Sequence, residues 1–415
     1  MRRTTLIFAI ISLSICNLSA QISIDEYRQA VAEYSHQIAT QQAVVDGSVA
    51  DLARKRKGYL PELDLERAAE YRSNTEKKWS WMMQPTLSQT IYNGGGTKAA
   101  VKQAENRLDI SQAELEYAEL QTLYNAEVAY WRLSRAEIYR GAIADYLAII
   151  TSLQKVVARR FNEGYTSKSD LLQVESRLSD AEYQLSAADQ SYLIALHNFN
   201  TLCGKSPAEG ATLINSILDS LSMPERRNIT DIIAYHPEYR VAIARSEVAR
   251  WGVKAAGAAF MPKISLRIYG VIEPEKPYVV NGDIGIWGGG GISLSSPIFH
   301  FRERRDAMNV ARSEQRVAEL ATEDLIDRLS LDESNSWTNI QNSYSRVKAT
   351  QRNLAIAKEN LEISTYAYNE GSATILDVLQ AQMSWLQIYT NTITAQYDYA
   401  VAIAAYLMIT NQIMR

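Results

Sequence analysis

One stretch of this chain occurs twice, and the repetition constrains the fold more than any local pattern does. The two copies, which are 207 positions apart, are Phe161-Asn162-Glu163-Gly164 continuing to Asp170-Leu171-Leu172-Gln173, and Tyr368-Asn369-Glu370-Gly371 continuing to Asp377-Val378-Leu379-Gln380. A repeat on this scale indicates a duplicated fold, in which each copy supplies the same set of elements. Because Asn and Gly favour turns, each copy predicts a hairpin tip.

Long helices are predicted on both sides of each tip. No Pro interrupts residues 97–160, and at ~1.5 Å per residue a helix of this length measures on the order of 95 Å. Residues that are apolar except for Gln154 step by four and three toward the first tip, as in Ile143, Leu147, Ile150, Gln154, Val157 and Phe161. The segments that follow the tips, 174–202 and 381–409, keep the same spacing with many Ala residues. This pattern predicts closely packed antiparallel coiled-coil pairs, with a second long helix over 301–368.

A period of two replaces the helical period ahead of each long helix. Trp79, Trp81 and Met83 alternate with more polar residues, and Ile264, Leu266 and Ile268 do the same in the second copy. Each copy therefore predicts two strands with one apolar face. Further helices are predicted at about 24–57, 229–259 and, within the linker 204–228, at 213–221. We expect repeats at 21–203 and 229–415.

The number of strands in one chain indicates how many chains the assembly needs. Two copies supply four strands, which cannot close around a channel, and open strand edges cannot face lipid. Other chains must therefore complete the sheet, and three chains would give twelve strands, enough for a barrel. The trimer is an inference from this strand count, since composition alone does not determine it.

The N-terminus has the pattern of a secretory signal. Arg2 and Arg3 precede an apolar run, and Ser19-Ala20 predict cleavage before Gln21, so residues 1–20 are expected to be a signal peptide. A lipoprotein signal ending at Cys16 is an alternative, although Ile15 is bulky for one. We expect no later apolar run of the ~20 residues that a spanning helix needs, so the exported chain would enter a membrane only as a closed barrel.

Composition argues against several other classes of function. The net charge of −4 gives no basic excess for nucleic acid. The four His residues are scattered without metal-ligand spacing, and no nucleophile motif is present. The Gly-rich stretch at 94–96 lacks the Gly-Lys-Ser/Thr ending of a phosphate loop. No helix is predicted directly after the stretch at 288–291, which favours a bent strand. We therefore expect neither an enzyme nor a cofactor or metal site.

The chain resembles the TolC-type outer-membrane efflux proteins over essentially its whole mature length. The resemblance is carried by the duplicated layout and by Tyr59-Leu60-Pro61, Phe260-Met261-Pro262, the segments 88–94 and 294–299, and the segment 371–379. Thr90 stands where the family usually has Pro, and the second copy lacks Gly after Phe299. The resemblance implies a mainly helical chain with four strands, which forms a trimeric β-barrel in the outer membrane continued by an α-helical coiled-coil tunnel in the periplasm.

The resemblance also implies roles for particular residues and partners. The tips, at Gly164 and Gly371, would dock a periplasmic adaptor that connects the channel to an inner-membrane pump. Two family carboxylates form a pore constriction, and the corresponding residues here are Asp377 and Gln380, so one carboxylate is absent. A family latch joins a tyrosine and an aspartate, which correspond to Tyr368 and Asp170, while its arginine partner corresponds to Ala373.

Several of these residues have simpler interpretations. Asp170 and Asp377 are each placed to favour the start of a helix, and Gln380 is equally consistent with a solvated helix surface. Trp79 and Trp81 would form an aromatic girdle against outer-membrane lipid, or would be ordinary core residues. For the whole chain, a periplasmic coiled-coil scaffold would explain the helices without the strands, and a passive porin would explain the strands without the helices.

Overall fold

The computed structural model describes residues 21–71, 79–274 and 284–413. The predicted signal peptide with Cys16, the turn at 72–77 and most of the loop at 273–283 lie outside the described residues. The order of elements is β1 (Gln21–Ile22), α1 (Ile24–Tyr34), α2 (His36–Arg56), β2 (Glu62–Tyr71), β3 (Trp79–Asn93), α3 (Gly96–Asn162), α4 (Lys168–Leu202), β4 (Thr212–Leu213), α5 (Ile229–Tyr235), α6 (Pro237–Ala258), β5 (Lys263–Pro274), β6 (Ile284–Ser295), α7 (Glu303–Asn369) and α8 (Ile375–Ile409).

The helix lengths repeat with the same period as the sequence. Helices α3 and α7 each have 67 residues, and α4 and α8 each have 35. Both ends of α7 and α8 lie 207 positions after the ends of α3 and α4. The predicted coiled-coil seam is buried, because Ile143, Ile150 and Val157 are almost inaccessible to solvent. The duplication therefore extends from the sequence to the element boundaries.

Two of the predicted helices are broken. The helix expected over 24–57 ends at Tyr34 and restarts at His36, and Lys57–Tyr59 form a 3-10 turn. The helix expected over 229–259 is interrupted at His236, because Pro237 cannot donate a backbone hydrogen bond and occupies the first position of α6.

The helix predicted near 213–221 is wrong. Thr212–Leu213 form β4, which pairs in parallel with β1, and the residues that follow are turns. The backbone N–H of Asn215 donates to the Tyr130 hydroxyl at 3.0 Å, and that of Ile217 donates to Ser134 Oγ at 2.8 Å. Side chains of α3 therefore take the donors that a helix would have used. The spacing of Leu213, Ile217 and Leu221 results from packing against one core cluster.

The four long strands form one antiparallel sheet in the order β2-β3-β5-β6. The cross-strand register places Leu63 of β2 opposite Leu87 of β3, and Leu87 opposite Ile268 of β5. Odd-numbered residues of β2 and β3 therefore share a face with even-numbered residues of β5, up to the register shift between Thr90 and Tyr92. Because successive side chains point to opposite faces, one face collects most of the apolar residues. The members of this apolar face include Leu63, Leu65, Trp81, Met83, Leu87, Ile264, Leu266, Ile268, Ile272, Ile284, Ile286, Ile292 and Leu294.

The chain divides into two compact units. Among the described residues, the first comprises those up to Ser35 together with Thr122–Glu225 and Ser336–Met408, and the second comprises those in His36–Gln121 and Arg226–Asn335 and those from Ile409. In the first unit, the Tyr27 and Phe199 rings stack at 3.9 Å between centroids, and the Tyr27 hydroxyl donates to the Phe199 carbonyl at 2.8 Å. The second unit contains the four-stranded sheet. Each unit therefore draws elements from both repeats.

One expectation about apolar runs needs correction. Among the described residues, α3 contains an 18-residue window that is apolar enough to cross a membrane by length and composition. Only a third of the residues in that window are buried within the chain. Length and composition alone are weak evidence for a membrane span, because core helices of soluble proteins meet the same criteria. The coiled-coil seam explains part of this apolar character, since Ile143 and Val157 lie in the packed cores of the helices.

A buried histidine joins α5 to α6 in the second unit. His236 caps α6, and its Nδ1 accepts a hydrogen bond from the Glu238 backbone N–H at 3.3 Å. Burial and, to a smaller extent, the nearby Arg328 guanidinium lower the pKa of His236 from its ordinary 6.5 to about 4, while Asp332 opposes the shift. The folded chain therefore holds a neutral imidazole at neutral pH.

We predict that acidification destabilises the second unit through His236. The unfolded state binds the proton more tightly, so the contribution to stability is complete above pH 6.5 and is lost as the pH falls toward 4. A shift of this size corresponds to about 3 kcal/mol. Urea unfolding at several pH values measures the effect. His236→Asn keeps a side-chain acceptor at the cap and should flatten the pH dependence in this window, whereas an unchanged slope would exclude His236.

Candidate functional site: the two hairpin tips

Both tips close with the same backbone geometry. Gly164 has φ +81° and Gly371 has φ +76°, in the left-handed region that favours glycine. In the first tip the Tyr165 N–H donates to the Arg160 carbonyl at 2.8 Å, and in the second the Ser372 N–H donates to the Ala367 carbonyl at 2.9 Å. These bonds close a Schellman motif, in which a left-handed residue satisfies the last carbonyls of a helix. The tips are therefore locally determined turns, as their Asn-Glu-Gly sequences indicate.

The two aspartates that follow the tips cap the returning helices. Asp170 Oδ2 accepts hydrogen bonds from the Thr166 hydroxyl at 2.8 Å and the Ser167 N–H at 3.2 Å. Asp377 Oδ2 accepts from the Thr374 hydroxyl at 2.7 Å and the Thr374 N–H at 2.8 Å. These hydrogen bonds hold the pKa of each carboxyl below its ordinary value. Both aspartates are therefore fully charged at neutral pH.

Asp377 and Gln380 lie on one exposed face of α8. Both side chains are exposed, and they are three residues apart, so they are neighbours on the helix surface. Val378 and Leu379, between them, are buried. The single chain thus presents a carboxylate and an amide to solvent on the helix that follows the second tip.

The residues of the expected latch lie in different environments. Tyr368 is only 6% exposed and packs in a cluster with Ile150, Val157 and Val378. Asp170 is more exposed, and its hydrogen bonds within the described chain are made to its own turn. The single chain therefore does not bring the Asp170 carboxylate and the Tyr368 hydroxyl into a hydrogen bond.

An arginine outside the residues predicted from sequence joins the two tips. Arg160 Nη1 donates to the Tyr368 carbonyl at 3.2 Å and Nη2 donates to the Asn369 carbonyl at 2.9 Å. Its guanidinium also lies 4.7 Å from the centroid of the Tyr368 ring. A cation is favoured at these carbonyls because they form the negative end of α7. The repeat itself carried a signal, since the counterpart of Arg160 is Ala367 and only the first copy has the charge.

The two candidate girdle residues lie at the start of β3. Trp81 pairs with Ala69 on the apolar face and is partly exposed. The backbone of Trp79 pairs with that of Tyr71 at the end of the sheet, but the Trp79 side chain lies outside the described part of the structure. Across the described residues, no group of three His, Cys, Asp or Glu side chains is arranged to hold a metal ion.

Comparison with known proteins agrees with this architecture. The chain is 25% identical over 379 residues to nodulation protein T of Rhizobium leguminosarum bv. trifolii, covering 84% of this chain and 77% of that protein. It is 23% identical over 328 residues to the outer membrane efflux protein BepC of Brucella suis, covering 79% and 71%. The crystal structure of the outer membrane protein VceC of Vibrio cholerae superposes with a TM-score of 0.79 at 17% identity, covering 93% of this chain and 95% of that one.

The duplicated helices and the two-faced sheet define an outer-membrane channel protein, and the predicted fold class is confirmed. The profile of the family described as "Outer membrane efflux protein" matches residues 27–205 and 228–409. The chain belongs to the outer membrane efflux protein family. Its function is that of an outer-membrane channel of an efflux or secretion system, and it extends from the outer membrane into the periplasm.

We predict that Arg160→Ala loosens the second tip. The substitution removes two charge-assisted hydrogen bonds and a ring contact, but Arg160 is partly exposed, so we expect a local loss of about 1 kcal/mol. This loss corresponds to amide hydrogen exchange about fivefold faster at Ser372 and Ala373. Arg159→Ala, at an exposed neighbour on α3, is the matched control. Equal exchange in both variants would show that Arg160 does not hold the tip.

Proposed function

We propose that three copies of this chain form the outer-membrane channel of a tripartite efflux or type I secretion system. The channel receives small molecules or polypeptides on the periplasmic side and releases them outside the cell. An inner-membrane pump drives this export through a periplasmic adaptor, which docks at the tips around Gly164 and Gly371. The chain acts as a conduit, and no catalysed reaction or cofactor is part of the proposal.

The observation that carries this proposal is a sheet with two different faces and two open edges. The edge strands β2 and β6 have no strand partner on their outer sides among the described residues. The apolar face suits lipid and the opposite face is mainly polar, with Glu62, Asp64 and Glu66 on β2. Unpaired backbone groups are very unfavourable in lipid, so the edges must pair with other copies. A ring of three chains supplies twelve strands and removes every edge.

The opposite faces of this sheet have separate roles in the proposal. Outer-membrane lipid contacts the apolar face, with Trp79 and Trp81 as part of an aromatic girdle at the end of the sheet. The polar face surrounds the aqueous passage. Residues 21–203 and 229–415 act as equivalent repeats joined by 204–228, so a trimer has six similar sectors around its axis.

The pore constriction is assigned to Asp377 and Gln380. Both side chains are exposed on α8 directly after the second tip, and a trimer gathers three copies of each. With one carboxylate per chain, the ring favours cations over anions while remaining less negative than a ring of carboxylate pairs. The low pKa of Asp377 keeps this charge in place well into the acidic range.

In this proposal, contacts at the hairpin tips hold the channel closed at rest. Arg160 joins the two hairpins of one chain through the carbonyls of Tyr368 and Asn369. Asp170 keeps a partly exposed carboxylate on the first hairpin, and a group from a neighbouring copy is its proposed partner. Breaking these contacts lets the tips separate, and the helices that follow move with them.

The assembly is tested by native mass spectrometry of the protein purified from outer membranes in mild detergent, followed by reconstitution into planar bilayers. The proposal predicts a trimer mass and a steady ionic conductance. A stable monomer recovered from the soluble periplasm would contradict it, and would favour a coiled-coil scaffold.

We predict that Asp377→Asn weakens cation selectivity. Asn keeps an acceptor for Thr374, so the substitution removes charge while preserving the cap. Reversal potentials in a salt gradient measure the effect, and in the unchanged protein selectivity should persist at pH 4.5 because the pKa of Asp377 lies below its ordinary value. Glu182→Gln, which removes an exposed carboxylate from α4, is the control for loss of a charge elsewhere. Unchanged selectivity in Asp377→Asn would remove this residue from the pore.

We predict that Asp170→Asn combined with Tyr368→Phe raises the conductance of the resting channel. Both substitutions retain side-chain shape, but they remove a charge and a hydroxyl that can hold neighbouring tips together. Single-channel recording in planar bilayers measures the change, with Tyr366→Phe as the control because Tyr366 is an exposed tyrosine of the same helix. Conductance equal to that of the unchanged protein would exclude a latch at these residues.

A further inference from the structure

A groove in the first unit has no role in the channel function proposed above. It is lined by residues of α3, α7 and α8 together with Leu218 of the linker, and its volume is about 620 Å³. All of its lining residues belong to the first unit, so the groove is complete within one chain. A cavity of this size suits a small organic molecule.

Much of the groove is apolar. Its apolar lining comprises Ile149, Leu218, Leu354, Leu361, Trp385 and Tyr389. Leu361 is buried, whereas Leu218 is exposed and the other four are half-buried. An apolar ligand that covers this lining leaves water and removes apolar protein surface from water as well, which favours binding.

Two aromatic side chains lie one helical turn apart on the α8 side of the groove. The ring centroids of Trp385 and Tyr389 are 5.6 Å apart, and the ring planes are inclined by 41°. Trp385 packs against the apolar cluster that contains Val157 and Leu379, which holds the ring in place, but the side chain remains half-buried. Aromatic ring faces attract cations, and Trp does so most strongly. The pair therefore offers a surface for a positively charged group.

The charges that line the groove are mainly negative. Asp145 and Glu362 contribute carboxylates, and Lys358 is the one basic residue in the described lining. Within the described chain, neither carboxylate forms an ion pair or a hydrogen bond. Burial and, to a smaller extent, the Asp145 carboxylate raise the pKa of Tyr389. The negative charge of Asp145 therefore acts at the aromatic pair.

A buried amide also lines the groove. Gln396 is only 3% exposed, and its side chain makes no hydrogen bond to any other residue that the structure describes. Buried side-chain amides normally have partners, because an unpaired one has lost its bonds to water without replacement. Thr392, one turn earlier, is satisfied by the carbonyls of Thr350 and Ile388. Gln396 is thus a polar group that a ligand can satisfy.

The internal repeat shows that the fold does not require the aromatic pair. At the 207-residue offset, the counterparts of Trp385 and Tyr389 are Leu178 and Glu182 on α4. Helices α4 and α8 nevertheless have the same length and the same place in their repeats. A helix of this kind therefore forms with or without the two rings, so their presence in the second repeat calls for another explanation.

We propose that this groove binds a small organic cation with an apolar body. The positive centre lies between the Asp145 carboxylate and the rings of Trp385 and Tyr389. The apolar body covers Leu354 and Leu361. An ammonium or phosphonium centre surrounded by carbon fits this combination, because it is attracted by ring faces and by a carboxylate and loses little hydration on binding. The site lies within one chain, so it does not depend on the trimer proposed above.

Other ligand classes fit the groove less well. An anion would meet two carboxylates and one ammonium group. A wholly apolar occupant would cover Asp145 without supplying a partner for its charge, which is unfavourable. A metal ion lacks ligands, because no three His, Cys, Asp or Glu side chains of the described chain are grouped to hold one. A cation with an apolar body satisfies the carboxylate, the rings and the apolar lining together.

Two ions of the same shape and opposite charge test the proposal. Tetraphenylphosphonium carries one positive charge within an apolar shell, and tetraphenylborate carries one negative charge within the same shell. Each is equilibrated by dialysis with the protein purified from outer membranes, with identical detergent on both sides at low ionic strength. We expect saturable binding of tetraphenylphosphonium and at least about tenfold weaker binding of tetraphenylborate. Equal affinities, or no saturable binding of the cation, would overturn the proposal.

Substitutions in the groove identify the groups that bind the cation. Asp145→Asn and Trp385→Leu should each weaken tetraphenylphosphonium binding about fivefold, because each removes one attraction for the positive centre. Trp385→Phe keeps a ring and should retain most of the affinity. Glu359→Gln, at an exposed carboxylate of α7 outside the groove lining, is the matched control. Thermal unfolding followed by circular dichroism checks that each variant is folded. Unchanged affinity in both Asp145→Asn and Trp385→Leu would contradict the assignment.

A cysteine in the groove locates the bound cation. In the Cys203→Ser background, Gln351→Cys places a thiol in the exposed part of the lining. Saturating tetraphenylphosphonium should slow its reaction with a maleimide severalfold, while Tyr183→Cys, at a residue of α4 that is 75% exposed, should react at an unchanged rate. Equal rates at Gln351→Cys with and without the cation would place binding elsewhere. Conductance of the same preparation in planar bilayers tests the channel separately, so a normal channel without protection would overturn the groove site alone.

Discussion

The unpaired edges of the four-stranded sheet constrain everything else in this protein. A strand edge in hydrocarbon leaves its N–H and C=O groups without partners, at a cost of several kcal/mol for each group. In the described part of the chain, strands β2 and β6 are the edges of the sheet, and the apolar face between them favours lipid. A single chain cannot resolve this conflict with four strands. Association with further copies follows from the backbone chemistry, and the helices are gathered together as a result.

The duplication explains how one chain can satisfy this constraint repeatedly. The two repeats have long helices of equal length at a fixed offset, so each repeat supplies the same set of elements to the assembly. The copies differ where function needs asymmetry. Only the first repeat has Arg160, which holds the second tip, and only the second has Phe301 in a turn that otherwise carries glycine.

Much of the fold could be predicted from sequence, because it depends on local chemistry repeated at a fixed interval. The 207-residue offset, the heptad spacing and the Asn-Glu-Gly turns determine α3, α4, α7 and α8 to within a few residues. The alternation of apolar and polar residues indicates the four long strands in the same way. The helix expected at 213–221 failed because Tyr130 and Ser134, far away in sequence, capture its backbone donors. The spacing of apolar residues along the chain does not show hydrogen bonds to side chains that are distant in sequence.

The candidate site was only partly accessible from sequence. The capping roles of Asp170 and Asp377 follow from their positions at helix starts, and their hydrogen bonds agree. The contact of Arg160 with Tyr368 depends on how two hairpins lie side by side, and no local pattern contains that information. The roles of Asp377 and Gln380 in a pore depend on neighbouring copies, so they stay predictions.

The central claim is that the sheet separates lipid from an aqueous passage, and an accessibility scan along β5 tests it most directly. Single cysteines replace residues 264–272 in the Cys203→Ser background, and a membrane-impermeant maleimide is applied to outer-membrane vesicles. The account predicts a period of two, with labelling at odd-numbered positions such as Ser265 and Arg267 and protection at even-numbered positions such as Leu266 and Ile268. Equal labelling along the strand would contradict a sheet with one face in lipid and the other in water.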